Sequence, residues 1–224
     1  MKSPLSRLAA AGLLLLVAPL FLALAVANYM FTRRVFFRQT RLGRDLRPFA
    51  LLKFQTMVDG AARGSTVTVK NDPRITPFGR VLRALKLDEL PQLINVLRGD
   101  MHLVGPRPLT PNEVDAIPRA LAEAVYRVEP GMTGISAIAL ADEEQILAAT
   151  ADPQRVYFED VLPRKIALEL AYVQRRTRLT DLMIVLATPL APFVPSVRRG
   201  VLARLVPQWE GLVTAALRSQ NLRT

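Results

Sequence analysis

Asp88 and Glu89 stand side by side in Leu85-Lys86-Leu87-Asp88-Glu89-Leu90-Pro91-Gln92, at the expected break between two helices. Arg83 lies just upstream, and Arg98, Asp100 and Arg107 follow. Gly105-Pro106-Arg107-Pro108 reads as a stiff turn that aims its arginine. Acid and base alternate along this stretch, the composition that a site for Mg²⁺ and phosphate requires. The plain alternative is that Asp-Glu at a helix start only caps that helix.

The elements that must position these groups follow from local signals. Thr76-Pro77-Phe78-Gly79-Arg80-Val81-Leu82-Arg83 combines a cap, a first-turn proline and an amphipathic run. Pro91 fits an early helical position and Gly99 a C-terminal stop, so a second short helix is expected from about Glu89 to Leu97. Asp88 would be its N-cap, where free N–H groups and the helix dipole favour a carboxylate and attract phosphate.

Lys53-Phe54-Gln55-Thr56-Met57, Asp72-Pro73-Arg74-Ile75-Thr76, Leu87-Asp88-Glu89-Leu90-Pro91-Gln92, Gly99-Asp100-Met101 and Val104-Gly105-Pro106-Arg107-Pro108 occur in that order. From roughly Leu8 to Leu190 the chain closely resembles the bacterial sugar transferases called monotopic phosphoglycosyl transferases. The resemblance implies transfer of a sugar-1-phosphate from a UDP-sugar to polyprenol (undecaprenyl) phosphate, with release of UMP. That is the first membrane step of exopolysaccharide, capsule, O-antigen or glycoprotein glycan synthesis, at the cytoplasmic face of the bacterial inner membrane. By match to the family's Asp-Glu dyad, Asp88 is the expected nucleophile, forming an aspartyl-phosphosugar intermediate. Glu89 is expected to hold Mg²⁺ or take a proton, and Arg83, Arg107, Lys53 and Arg74 to meet substrate phosphate. Asp100 either completes the metal shell with Asp88 and Glu89 or caps a helix. Arg74 either touches substrate or pairs locally.

The chain departs from the family pattern at several positions. Gln55 replaces a usual basic residue, and His102 stands where Ser is usual, read as a packing residue. Glu129-Pro130-Gly131-Met132-Thr133-Gly134-Ile135-Ser136, expected as a turn-rich loop, begins with Glu instead of Arg. Asp142-Glu143-Glu144 takes the place of a basic run, a departure that bears on the sugar more than on the reaction.

Composition narrows the class. The 224 residues carry 30 Lys and Arg against 19 Asp and Glu, a net +11, while half of them are hydrophobic. Such charge needs an acidic partner: anionic phospholipid, phosphorylated substrate or nucleic acid. No nucleic-acid-binding signature is present and aromatic residues are only 6%, so stacking platforms are scarce and nucleic acid is set aside. The absence of cysteine excludes disulfides, thiolate catalysis and Cys-based zinc. One histidine, His102, cannot build a His-pair metal site. A homodimer is neither required nor excluded.

Leu8–Phe31 carries no charge and is flanked by basic residues on both sides. As a helix it would be about 36 Å long, enough to cross a hydrocarbon core. A cleaved signal peptide, a spanning helix and a re-entrant helix bent at Pro19 compete. Basic residues at both ends favour the re-entrant form, which the resembling family shares. Arg33, Arg34, Arg38, Arg41, Arg44, Arg47 and Lys53 then form a cluster suited to lipid headgroups. Val35-Phe36-Phe37 and Phe49–Phe54 read as a hairpin around Leu42-Gly43-Arg44.

Further on, 61–70 reads as a loop, 111–127 and Leu162–Arg176 as helices, and 181–190 as a helix too short to span. Residues 197–218, with Trp209, read as an interfacial amphipathic helix or as one lying on a partner or on the core. The expected fold is therefore α+β, mainly helical. It comprises a re-entrant membrane helix (1–32), a catalytic domain with a small β-hairpin and interfacial amphipathic helices (33–190), and a C-terminal extension (191–224). The rival function is a non-enzymatic basic membrane scaffold for glycan assembly; a secreted basic binding protein is a second.

Overall fold

In the computed structural model, which describes residues 4–58, 68–69, 72–191 and 193–206, the chain is mostly helical with two small sheets. The apolar run folds as one helix, α1 (Pro4–Thr32), with Pro19 in its interior and no break in helical backbone there. The bend expected at Pro19 is thus not marked by an interruption. Among the described residues this is the one helix long and apolar enough to cross a membrane.

Both ends of α1 are tied to the rest of the protein. Near its start, Ser6 Oγ accepts from the Leu103 N–H at 2.9 Å, and the Arg7 guanidinium donates to the Arg98 carbonyl at 2.8 Å. Ala10 is fully buried in a core with Leu51, Leu93, Val96 and Met101. Near its end, Asn28 donates to the Val35 carbonyl at 3.1 Å and Phe31 stacks on Phe78. Leu15, Leu16 and Leu22, between these ties, are exposed.

The hairpin forms as its alternating pattern requires: β1 (Phe36–Leu42) pairs antiparallel with β2 (Pro48–Phe54), in a register that places Phe36 opposite Phe54. One face carries Leu51 and Phe49 to the core and, further along, Lys53 and Arg41 to the cavity. Arg41 departs from the solvated role expected of the basic cluster. It is largely buried, donating to the Pro108 carbonyl at 3.0 Å and pairing with Glu113 at 3.3 Å.

α2 (Pro77–Ala84) begins as its sequence dictates, with the Thr76 hydroxyl accepting from the Gly79 N–H at 2.9 Å and Pro77 in the first turn. The second helix differs from expectation. α3 runs Gln92–Arg98 and ends at Gly99 with φ 79°, while Leu87–Glu89 forms a separate 3₁₀ turn. Asp88 therefore lies inside that turn and is not an N-cap. Pro91 takes the flanking position because its ring fixes φ while its missing N–H needs no partner.

β3 (His102–Val104) pairs in parallel with β4 (Gly131–Thr133), a strand in the segment expected to be irregular. α4 (Pro111–Asp115) and α5 (Arg119–Val125) divide the single helix expected over 111–127, because Pro118 cannot continue the ladder. Then follow α6 (Ile135–Ala139), α7 (Glu143–Ala148) and α8 (Pro153–Val156), and a π turn (Tyr157–Val161) leads into α9 (Leu162–Arg175). α10 (Arg178–Ala187) and α11 (Pro195–Leu205) complete the fold.

α6, α9, α10 and α11 share a core of Ile135, Leu168, Tyr172, Ile184 and Leu202, so packing runs across the boundary expected at residue 190. Trp209 and most of the expected 61–70 loop lie outside the described residues.

Backbones approach closely where β4 meets the Gly105 turn. A Cβ at Gly131 would lie 2.0 Å from the Gly105 nitrogen. Gly131→Ala should therefore cost about 3 kcal/mol, a fall of roughly 6–12 °C in Tm for a chain of this size. Thermal unfolding in detergent checks this.

Candidate active site

The reversal between α2 and the 3₁₀ turn is made by Lys86, whose φ of 57° is a left-handed conformation costly for a side chain with a Cβ. That reversal presents Asp88 and Glu89 to a cavity of about 900 Å³. β2 contributes Lys53 to the same cavity, α2 contributes Arg83, and the turn after β3 contributes Arg107. Arg74 also lines it.

Glu89 is the hub. Its Oε1 accepts from Lys53 Nζ at 3.0 Å, and the Arg107 fork grips both oxygens, with the Nη1–Oε2 bond at 2.9 Å. Burial works to raise the Glu89 carboxyl. Arg107 and Lys53 outweigh it and hold the group well below its ordinary value. Arg107 also donates to the Met132 carbonyl at 2.9 Å, which fixes the plane of the guanidinium.

Asp88 is 5% exposed, and burial pushes its carboxyl up. Lys53, Glu89, Arg83 and Lys86 act on it by charge through space. The two neighbours thus differ: Glu89 is locked in an ion pair, whereas the Asp88 carboxylate accepts no hydrogen bond among the described residues.

The structure brings together Asp88, Glu89, Lys53, Arg83, Arg107 and Arg74 of the residues singled out from sequence. Two of these pair with residues outside that set. Arg83 pairs with Glu144 of α7, and Arg74 holds Asp72 through bonds that include Nη2–Oδ2 at 2.6 Å and Nε–Oδ1 at 3.0 Å. Asp100 is not brought in. Its carboxylate accepts from Asn95 Nδ2 at 2.9 Å, and Asn95 in turn bonds the Leu52 N–H and the Ala50 carbonyl, so Asp100 serves the α3–hairpin junction. His102 is buried in β3, away from the cavity lining.

Among the described residues no three His, Cys, Asp or Glu side chains cluster as a metal cage. Asp88 and Glu89 are adjacent hard oxygen donors on the cavity wall, Glu89 with both oxygens also held by Arg107. Mg²⁺ commonly takes one or two carboxylates from protein and the rest from phosphate and water, so this pair fits it.

Reasoning from sequence missed Glu113, Tyr157, Lys165 and Glu169, which line the same cavity. Tyr157 donates to Glu113, and Lys165 pairs with Glu143 at 2.7 Å. Asp142, Glu143 and Glu144 each pair with a base on a different helix, Arg198, Lys165 and Arg83. Glu169 of α9 is 1% exposed, its Oε1 accepting from Ser136 Oγ and from the Arg107 backbone N–H at 3.1 Å. The available signal was Ile166, Glu169 and Val173, helical spacing that sets a carboxyl in an apolar stripe.

Burial pushes the Glu169 carboxyl up to about 7, against the Ser136 and Arg107 donors, which favour its ionised form. The groups that face it, Arg107, Tyr126 and Tyr172, do not titrate between pH 4.5 and 7. Unfolded, Glu169 would ionise near 4.5, so in this window the native state binds more protons and stability falls as pH rises. Glu169→Gln should raise stability by about 3 kcal/mol above pH 7 and by little at pH 4.5. Tm against pH for both proteins checks it.

Residues 1–194 match the family model described as bacterial sugar transferase. The chain belongs to the bacterial sugar transferase family. A UDP-glucose:undecaprenyl-phosphate glucose-1-phosphate transferase of Caulobacter vibrioides is 38% identical over 198 residues, 84% of this chain and 67% of that protein. The exopolysaccharide production protein ExoY of Rhizobium meliloti is 34% identical over 204 residues, 84% of this chain and 83% of that protein. An Aeromonas hydrophila protein named as a UDP-N-acetylgalactosamine-undecaprenyl-phosphate N-acetylgalactosaminephosphotransferase is 35% identical over 191 residues, 84% of this chain and 42% of that protein. These sugar transferase relatives name two different sugars, so membership fixes the enzyme class and leaves the sugar to the pocket.

Proposed function

We propose that this sugar transferase moves a sugar-1-phosphate from a UDP-sugar to undecaprenyl phosphate, releasing UMP, at the start of a surface-glycan pathway. The observation that carries this reading is Asp88, 5% exposed and with no hydrogen-bond partner for its carboxylate among the described residues, in a cavity lined by Lys53, Arg83 and Arg107.

An Asp88 carboxylate oxygen attacks the phosphorus that bears the sugar. The bond from that phosphorus to the bridging oxygen breaks, and UMP leaves with the oxygen and its electron pair. This gives an aspartyl-phosphosugar ester, which splits one hard displacement into two. A phosphate oxygen of the lipid acceptor then attacks the same phosphorus, and the Asp88 carboxylate departs unchanged. Arg107 and Lys53 stabilise charge gathering on the phosphoryl oxygens. Arg83 exchanges Glu144 for a donor phosphate. Glu89 holds Lys53 and Arg107 in place and can accept an acceptor proton where one is present. Asp88 and Glu89 would hold Mg²⁺, which when bound neutralises charge on the donor diphosphate.

The ties at both ends of α1 support a helix that enters and leaves the membrane on the domain's side. With its basic flanks, this favours the cytoplasmic face of the inner membrane and contact with anionic phospholipid. The test offers purified protein a panel of UDP-sugars with Mg²⁺ and undecaprenyl phosphate and follows UMP. Release that depends on the sugar and on Mg²⁺ is expected, with a labelled adduct on Asp88 when acceptor is withheld. No release with any sugar from folded protein would defeat the proposal.

A further inference from the structure

We propose that Glu169 is a positioning residue for Arg107: it holds the peptide of the turn that aims the guanidinium into the cavity. The inference rests on the role given above to Arg107, and it assigns a function to a side chain well outside the motif block.

Both backbone polar groups of Arg107 are taken by side chains. Its N–H donates to Glu169 Oε1 at 3.1 Å, and its carbonyl accepts from the Tyr126 hydroxyl. Tyr126 is fully buried and Glu169 is 1% exposed. The side chain of Arg107 is fixed as well, by Glu89 and by the Met132 carbonyl. The residue is thus held at backbone and side chain alike.

Glu169 is a costly way to fill space. Its Oε2 is buried with no hydrogen-bond partner among the described residues, and a leucine would pack on α9 without that penalty. What a leucine cannot do is accept from the Arg107 N–H. Ser136, 2% exposed at the start of α6, donates to the same Oε1 and so fixes the carboxyl relative to β4. The turn is confined from the other side too: a Cβ on Gly134 would lie 2.4 Å from the Gly105 carbonyl oxygen. The turn is clamped between β4 and α9, and Glu169 is the bolt on the α9 side.

Displacing a charge-stabilising group by about 1 Å can cost about 10²-fold in rate. Glu169→Ala should lower kcat by about that factor with the donor KM changed less than about threefold, whereas Glu169→Gln, which keeps the acceptor oxygen, should stay within about threefold of wild type. In an Arg107→Ala background, Glu169→Ala should cost nothing further, since both act through one group. Hydrogen exchange by mass spectrometry should show the Arg107 amide protected in wild type and Glu169→Gln and fast in Glu169→Ala. Equal losses in both backgrounds, failure of Gln to restore rate in a folded protein, or unchanged exchange at Arg107 would overturn the assignment. The exchange result stands without turnover. A wild type that releases no UMP yet shows this exchange pattern defeats the transferase reading and upholds the positioning.

Discussion

Asp88→Asn will lower UMP release by about 10³-fold or more and leave the fold in place. The exchange of one oxygen for an amide nitrogen keeps the shape of a side chain that is 5% exposed. It removes the negative charge and with it the nucleophile. Burial already disfavours that charge, so the neutral amide should unfold at the wild-type temperature or slightly above. Loss of catalysis with stability kept separates a chemical role from a structural one. Circular dichroism and thermal unfolding in detergent, beside UMP release and adduct formation, give both readings. A variant that keeps a tenth of wild-type turnover would mean that phosphorus is attacked by another group.

Arg107→Ala should damage both stability and catalysis. Glu89 would keep Lys53 and lose the fork on both of its oxygens. Breaking a largely buried pair in this way costs about 3 kcal/mol, roughly 6–12 °C in Tm at this chain length. UMP release should drop by about 10³-fold as the charge on the transferring phosphoryl group loses its planar partner. The acid limb should move as well. Glu89 is depressed from 4.5, so its pairing contributes above that pH and is lost as pH falls through the lower folded value. Without Arg107 the loss begins at higher pH. Arg107→Lys should recover part of the stability and little of the rate, because an ammonium cannot bridge both oxygens. Unfolding midpoints between pH 3 and 7, with turnover at neutral pH, test each part.

The parts of the fold that could be read beforehand are those set by neighbours in sequence. Thr76-Pro77, Gly99 and the alternation around Gly43 are local devices, and α2, the stop of α3 and the hairpin followed from them. The motif block likewise brought Lys53, Asp88, Glu89 and Arg107 to one cavity. The rest depended on distant segments or on local backbone detail that residue types do not display. The β3–β4 pair joins residues about thirty apart through only three positions in each strand, too few for a visible period. Asp88 looked like a cap because Pro91 resembles a helix start. Lys86 in a left-handed conformation moved the turn and placed the aspartate within it. Arg41 looked like one basic residue among many until Glu113, seventy-two positions later, buried it. Asp100 had the right chemistry but lies beyond α3, where Asn95 takes its oxygen.

The burial of Ala10 among Leu51, Leu93, Val96 and Met101 bears on how this enzyme can be handled. A soluble version made by trimming the N-terminal helix would strip the cover from those residues and remove the ties at Leu103 and Arg98. Greasy surface freed beneath the hairpin that carries Lys53 would favour clumping over turnover. Helix and workbench are one piece of joinery, and this transferase should be purified whole, with the exposed leucines of α1 wrapped in detergent or nanodisc.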